Sequence, residues 1–267
     1  MEEEFQLLTT TRYDPTLTSL RWNDDLDGPS PYFLLPYHCE RLKDAAKQHG
    51  WDIWGAYAYQ HFKHAVVDTV SKQLVGKSED PPALRIRILL HRNGETQITA
   101  IPLEATFNDD PFLYARRSDV DEVPQQSHSP INVYVDKEPT GPSLFTATKT
   151  TARRVYEKAR QRNNLLPLTT PAGRCQEVLL HNHEGLIMET SIFNIACKRG
   201  GRWITPSSTS GCLPGVARRW LLENGRIVED AECALTVANI KTGELVLLFN
   251  GVQGCRLGMI HDADGIN

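Results

Sequence analysis

The chain has 267 residues, with 33 acidic against 29 basic side chains, 40% apolar residues and six cysteines. That length suffices for one large domain or two ordinary ones, with a buried core and an enclosed pocket. No apolar run approaches the ~20 residues needed to cross a bilayer. A formal charge of −4 without basic blocks argues against a nucleic-acid or anionic-membrane partner and for a small molecule.

The cysteines stand at 39, 175, 197, 212, 233 and 255, with no C-x-x-C pair and no grouping with histidine at zinc-ligand spacing, so no metal is expected. They read as reduced thiols of an intracellular protein. The start Met1-Glu2-Glu3-Glu4 lacks the basic and apolar regions of a secretory signal and is too acidic for a transit peptide, which places the expectation in the cytoplasm.

In chain order, FQLLTTTR at 5–12 reads as a strand and Asp14-Pro15 as a turn. HCERLKDAAKQHG puts Leu42, Ala45 and Ala46 on one helical face and stops at Gly50. A second helix is predicted over about 61–75, where Phe62, Val66, Val70 and Leu74 recur at helical intervals. LRIRILLH, Asn93-Gly94 and TQITAIPL then spell a β-hairpin. Residues 118–144 turn polar and proline-rich around a strand-like INVYVD, as a connection between domains would. The expected division is an N-terminal α/β lobe over 1–118, a connection over 119–144 and a C-terminal lobe over 145–267.

The second half opens with FTATKTTARRVYEKARQR, an extended piece entering a helix that Thr148 or Thr150 would cap. Residues 177–206 give three strands with turns at Glu184-Gly185 and Gly200-Gly201. SSTSGCLPGVARRWLLENG is a glycine-rich loop feeding a helix that Gly225 ends; a strand at 226–229, a helix over about 231–240 and a strand ELVLLFN follow. Strands and helices mix without βαβ alternation, so the fold class is α+β in two lobes.

Three features carry chemistry. In SGCLPGVARRW glycines let backbone amides approach a ligand, and the helix start turns its partial positive charge on it, as in a phosphate cradle, although the same pattern is also that of an ordinary Gly-Pro loop before a helix. It is neither a Walker loop nor G-x-G-x-x-G. Lys149 has Arg153 and Arg154 close in sequence, and neighbouring cations ease the loss of an ammonium proton, although most lysines are simply solvated. Glu189 interrupts the alternating apolar positions Ile187, Phe193 and Ile195 in LIMETSIFNI; an ionised carboxylate buried there needs a partner, unless that end of the face is solvated.

Together these features resemble the class IV pyridoxal-phosphate enzymes of fold type IV. A lysine is followed 40 residues on by E-x-S-x-x-N in a strand, then T-P after a turn, then L-x-G-V-x-R opening a helix, and HCERL at 38–42 is similar to the family's H-x-x-R-L. The resemblance implies pyridoxal 5'-phosphate as cofactor, attached covalently to Lys149, with Glu189 facing its ring nitrogen and Arg41 binding its phosphate. Asn194 and Thr205-Pro206 match further motif positions, and Val216 and Ala217 lie in the phosphate loop. Ala217 stands where many relatives carry threonine, so only its backbone N–H would serve. The chain starts at the family's F-x-T-x-R strand, which implies a trimmed first lobe.

Within the class, FQLLTTTRYDP, TKTTARRVYEKAR and LFNGVQG look most like the fungal 4-amino-4-deoxychorismate lyases, with Asn250 at the turn where transaminases more often carry G-T-A or S-T-T. This implies a folate-pathway lyase that removes pyruvate to leave 4-aminobenzoate, acting as a homodimer. The alternative is a transaminase of D-amino acids, branched-chain amino acids or primary amines. Arg12, Arg87, Arg153, Arg154 and Arg256 are the candidates for substrate carboxylates, and Thr10 is a candidate pocket hydroxyl. On this reading the site is locally cationic although the chain is net acidic.

Overall fold

In β2, Leu84–Leu90, the sequence LRIRILL alternates in the pleat: Leu84, Ile86, Ile88 and Leu90 are fully buried while Arg85 and Arg87 are exposed. Each of these apolar side chains contributes about 1.5–3 kcal/mol by leaving water. β2 pairs antiparallel with β1, Leu7–Tyr13, on one side and with β3, Thr96–Pro102, on the other. Two helices, α1 (Leu35–Gln48) and α2 (Tyr59–Leu74), complete the core with Leu35, Cys39, Leu42 and Ala46 from the first and Phe62, Val66 and Val70 from the second. α1 starts before the predicted segment because Pro36 occupies its first turn, where a missing N–H breaks no helical bond.

The computed structural model describes residues 4–53, 58–76, 81–115 and 129–262. The chain forms two compact units: Met1–Pro111 with Thr148–Ala152 and Gly251–Gln253, and Phe112–Ala147 with Arg153–Asn250 and Gly254–Asn267. Of the expected connection, 119–128 lie outside the described residues, while INVYVD is a strand, β4 (Ile131–Val135), in the sheet of the second unit. The hairpin of the first unit is wider than a two-residue turn. Leu90 pairs with Thr96, and of the Asn-Gly pair only Gly94 has positive φ, at 87°, whereas the tightest hairpin turn needs both residues there.

The second unit is built on eight strands. After β4 come β5 (Gln176–His181), β6 (Ile187–Thr190), β7 (Asn194–Arg199), β8 (Arg202–Thr205), β9 (Val228–Glu229), β10 (Leu245–Asn250) and β11 (Gly254–His261), in the spatial order β6-β5-β4-β11-β10-β7-β8-β9. Both faces of the sheet are covered. Ile131, Val133 and Leu179 join one apolar cluster, while their strand neighbours Tyr134, Val178 and Leu180 join another with Tyr156 and Ala159 of α4 (Arg154–Arg162). α3 (Leu144–Ala147) precedes α4, and α5 (Val216–Glu223) ends at Asn224 before Gly225.

Three expectations are corrected, and one strand was not expected. LIMETSIFNI is two strands, because Phe193 N donates to Thr190 Oγ1 at 3.1 Å and Thr190 N to Phe193 O at 2.8 Å, closing a turn between β6 and β7. The helix expected over 231–240 is only a 3-10 turn, Val237–Asn239, closed by reciprocal Thr236 and Asn239 caps. α4 is capped by Arg153 without a side-chain bond; Thr148 Oγ1 lies instead 2.8 Å from His49 Nε2, and Thr150 Oγ1 accepts from Ala152 N at 3.2 Å. β11 escaped the sequence reading because glycine breaks its pattern, yet Gly258 is required: a Cβ there would lie 2.9 Å from side-chain carbons of both Leu248 and Val133.

Among the described residues, no helix is long and apolar enough to cross a membrane, and no group of three or more His, Cys, Asp or Glu is arranged to hold a metal ion.

Candidate active site

The first unit carries Lys149, Arg41 and His38. Lys149 sits on a short extended segment laid along β1 rather than at a helix mouth: Leu8 N donates to Lys149 O at 2.8 Å, and Leu7 and Thr150 form an antiparallel bridge. Thr151 N donates to Gln6 O at 2.9 Å, and Gln6 N to Thr151 Oγ1 at 3.0 Å. Three consecutive residues, Lys149 to Thr151, thus fix the backbone on which the lysine stands.

On α1, Arg41 follows His38 by one turn, so both face the same way. Arg41 Nη2 donates to Thr9 Oγ1 at 2.6 Å, and the same oxygen lies 2.6 Å from His38 Nδ1. A guanidinium has only donors, so the threonine hydroxyl accepts from Arg41 and gives its proton to His38 Nδ1. That assignment follows from the network and leaves the imidazole proton on Nε2, which has no hydrogen-bond partner among the described residues. Burial holds the His38 pKa well below its ordinary 6.5, and the charges of Arg41 and Lys149 push it the same way. Two cations beside a neutral imidazole make a place that receives an anion.

Thr9, rather than Thr10, is the strand hydroxyl of this cluster. The pleat turns Thr10 to the opposite face, where it pairs in register with Arg87. Arg12 is engaged locally, donating to Asp14 Oδ2 at 2.8 Å and lying 3.9 Å over the Phe107 ring.

In the second unit, Glu189 is the third residue of β6 and is buried, which overturns the solvated-end reading. Its Oε1 accepts from the Tyr156 hydroxyl at 2.8 Å and from Leu213 N at 3.3 Å. Burial, and then Glu189, push the Tyr156 phenol well above its usual range, so it remains a proton donor. The Arg153 guanidinium lies 4.9 Å over the Tyr156 ring and donates to Ser191 O at 2.7 Å. Arg154 is exposed, and Arg256 is half-buried, with its pKa lowered by burial.

The loop into α5 is held from behind. Asn194, which opens β7, donates from Nδ2 to Leu213 O at 2.8 Å, and a Cβ at Gly215 would lie 2.0 Å from Asn194 Oδ1. Gly215 has φ −66°, so space rather than backbone conformation requires the glycine. As N-cap it offers no side chain to the first turn, which leaves the amides at the start of α5, Val216 and Ala217 among them, for an anion. Arg218 donates to Pro206 O at 2.8 Å, Thr205 Oγ1 to Ile195 O at 2.8 Å, and Asn250 Nδ2 to Ile192 O at 3.3 Å. These bonds tie the Thr-Pro corner to α5 and β7, and Asn250 to the turn that follows the strand of Glu189.

Of the residues singled out from sequence, Arg41 and Lys149 thus stand in the first unit, and Glu189, Asn194, Val216, Ala217 and Asn250 in the second. Sequence reasoning missed Thr9, His38 and Tyr156. His38 was visible as the first letter of H-x-x-R-L; Tyr156 carried no signal beyond its helical position.

The family model described as amino-transferase class IV matches residues 17–257. A Schizosaccharomyces pombe protein assigned as an aminodeoxychorismate lyase is 31% identical over 262 residues, which are 97% of this chain and 90% of that protein. The aminodeoxychorismate lyase of Saccharomyces cerevisiae is 33% identical over 195 residues, 66% of this chain and 51% of that protein. Among solved structures, a Mesorhizobium loti protein assigned as an amino-acid aminotransferase superposes with a TM-score of 0.67 at 23% identity, covering 97% of this chain and 100% of that one. The two chains share a fold.

Proposed function

We propose, for a chain that belongs to the class IV aminotransferase family, a pyridoxal-phosphate-dependent lyase activity that removes pyruvate from 4-amino-4-deoxychorismate and leaves 4-aminobenzoate for folate synthesis. The observation that carries the reading is the 31% identity to a fungal protein assigned as that lyase, sustained over 97% of the chain. Members of the family depend on pyridoxal 5'-phosphate, and the residues present fit it. The uncapped amides opening α5 suit a phosphate, and two cations beside a neutral imidazole suit an anion.

When bound, the cofactor supplies an aldehyde that takes up an amine and a ring that accepts an electron pair. Arg41 and the amides of Val216 and Ala217 would hold its phosphate, and Asn250 would support the turn beside it. Lys149 would attach it through Nζ. Glu189 would keep a proton on the ring nitrogen, which makes the ring a better electron acceptor. Lys149 Nζ would be the base that takes the proton from the amine-bearing carbon of the substrate and the acid that protonates the departing enolpyruvyl group as pyruvate, which leaves the substrate ring aromatic.

A homodimer belongs to the proposal through the family resemblance. A cytoplasmic location is supported by the six cysteines, none of which forms a disulfide among the described residues, as in a reducing compartment.

The test is a product assay on aminodeoxychorismate with and without a keto acid. Equal amounts of 4-aminobenzoate and pyruvate without an acceptor are expected. Turnover that appears only when D-alanine and 2-oxoglutarate are supplied would overturn the lyase in favour of a transaminase. Lys149→Ala should abolish the borohydride-trapped adduct, and an undiminished adduct would remove Lys149 from its role.

A further inference from the structure

We infer that Tyr156, with Arg153 over its ring, is the positioning residue that fixes Glu189 against the ring nitrogen of the cofactor and biases the shared proton toward that nitrogen. The inference rests on the proposed pairing of Glu189 with that nitrogen, and adds to it the residues that set its strength.

Two donors converge on one carboxylate oxygen. Tyr156 Oη reaches Glu189 Oε1 from α4 at 2.8 Å, and Leu213 N reaches the same oxygen from the loop before α5 at 3.3 Å. A carboxylate gripped at one oxygen from two elements has its rotation set, which fixes the direction in which the other oxygen points. Hydrogen bonds donated to a carboxylate favour its ionised form. A carboxylate relieved of charge in this way pulls less on a proton it shares, and the proton stays with the nitrogen.

Arg153 strengthens the donor. Its guanidinium lies 4.9 Å over the phenol ring and is anchored by Nη2 to Ser191 O at 2.7 Å. A cation over the π-face withdraws charge from the ring and makes the hydroxyl a better donor. The anchor carbonyl is two residues beyond Glu189 in the same chain segment, so Arg153, Tyr156 and Glu189 move as one group. Packing explains the ring of Tyr156, which sits in an apolar cluster with Tyr134, Leu180 and Met188. It does not explain a hydroxyl directed at Glu189.

The experiment removes the hydroxyl and keeps the ring. Holoenzyme is prepared with cofactor labelled with nitrogen-15 at the ring nitrogen, whose chemical shift reports the proton on it. Glu189→Gln should move the signal to the unprotonated position; if it does not, the pairing of Glu189 with the ring fails, whatever Tyr156 does. Tyr156→Phe should move the signal part of the way in the same direction. It should lower kcat about tenfold, the worth of one hydrogen bond to a charged group, with a smaller change in KM and the cofactor retained. A wild-type signal in Tyr156→Phe, beside a shifted one in Glu189→Gln, overturns the inference. Should the Phe variant not fold, 4-aminophenylalanine at 156 keeps a weaker donor in nearly the same volume. It should shift the signal the same way by less, and an unmoved signal there overturns the inference equally.

Discussion

Thr9 Oγ1 lies 2.6 Å from His38 Nδ1 while accepting a hydrogen bond of 2.6 Å from Arg41, so one strand hydroxyl orients both the imidazole and the guanidinium of α1. His38 is fully buried, and its pKa lies well below the ordinary 6.5, from burial first and then from Arg41 and Lys149. A histidine depressed on folding takes up its proton more readily in the unfolded chain. Its contribution to stability is therefore complete above about pH 6.5 and is lost as the pH falls toward the depressed value, by up to about 1.4 kcal/mol per unit. His38→Gln should flatten the fall in urea-unfolding stability between pH 6.5 and 5. An unchanged slope would show that His38 is already charged in the folded chain.

Removing the hydroxyl tests the same cluster from the strand side. Thr9→Val keeps the shape of the side chain but strands His38 Nδ1, a buried acceptor, and takes away the oxygen that Arg41 Nη2 donates to. The expected cost is about 1–3 kcal/mol for the buried group left unsatisfied, together with weaker binding of pyridoxal phosphate, because Arg41 is no longer aimed. Thr9→Ser should restore most of both. If Val and Ser lose stability and cofactor affinity to the same degree, the methyl group rather than the hydroxyl is what matters.

At the start of α5 the expected effect is on affinity. A methyl group at 215 would lie 2.0 Å from Asn194 Oδ1, so Gly215→Ala must displace either Asn194 or the loop amides. Loss of the 2.8 Å bond from Asn194 to Leu213 O would loosen the amides before they meet a phosphate. A drop of tenfold or more in cofactor affinity by equilibrium dialysis is expected, of the order a misdirected charge-assisted contact costs. Gly225→Ala meets open space at its Cβ but strains the backbone at φ 62°, so it is the control for a destabilised helix end away from the loop. Equal retention of cofactor in the two variants would count against the cradle.

The pattern of the fold was legible wherever one period dominated. LRIRILL announced a half-buried strand, and Val66 and Val70 announced the buried face of α2, because pleat and helix impose periods of two and 3.6. It was not legible where both faces of a strand are covered. In LIMETSIFNI each residue from Ile187 to Thr190 is buried, so no alternation remains to mark the turn at 191–193. The site divides along the same line. Arg41, Lys149, Glu189 and the glycine loop stood out by charge or by glycine, types that chemistry constrains strongly. Thr9 and Tyr156 did not, because a threonine in a strand and a tyrosine in a helix are ordinary until the partners of their hydroxyls are known.

A second buried carboxylate separates a structural charge from the one assigned to chemistry. Glu177 is fully buried beside Arg160, at 3.4 Å, and accepts from Ser191 Oγ at 2.7 Å. Arg160 also donates to the carbonyls of Gln176, Leu166 and Gly173, at 2.9, 2.6 and 3.1 Å, so it ties the start of β5 to the loop before it. Burial raises the Glu177 pKa above its ordinary 4.5, with Ser191 and Arg160 opposing. Arg160→Met fills similar volume but leaves the carboxylate and three carbonyls uncompensated, at an expected cost of about 3–5 kcal/mol. A carboxyl whose pKa is raised on folding stabilises the fold below the unfolded value and loses that contribution as the pH climbs through the folded one. Without Arg160 the folded value rises further and the loss extends toward neutrality. The urea midpoint of Arg160→Met should therefore fall more between pH 5 and 8 than that of wild type, and adding Glu177→Gln should recover part of it. A deficit that is constant with pH, or a double variant no better than the single one, would show that the lost carbonyl bonds, not the orphaned charge, account for the damage.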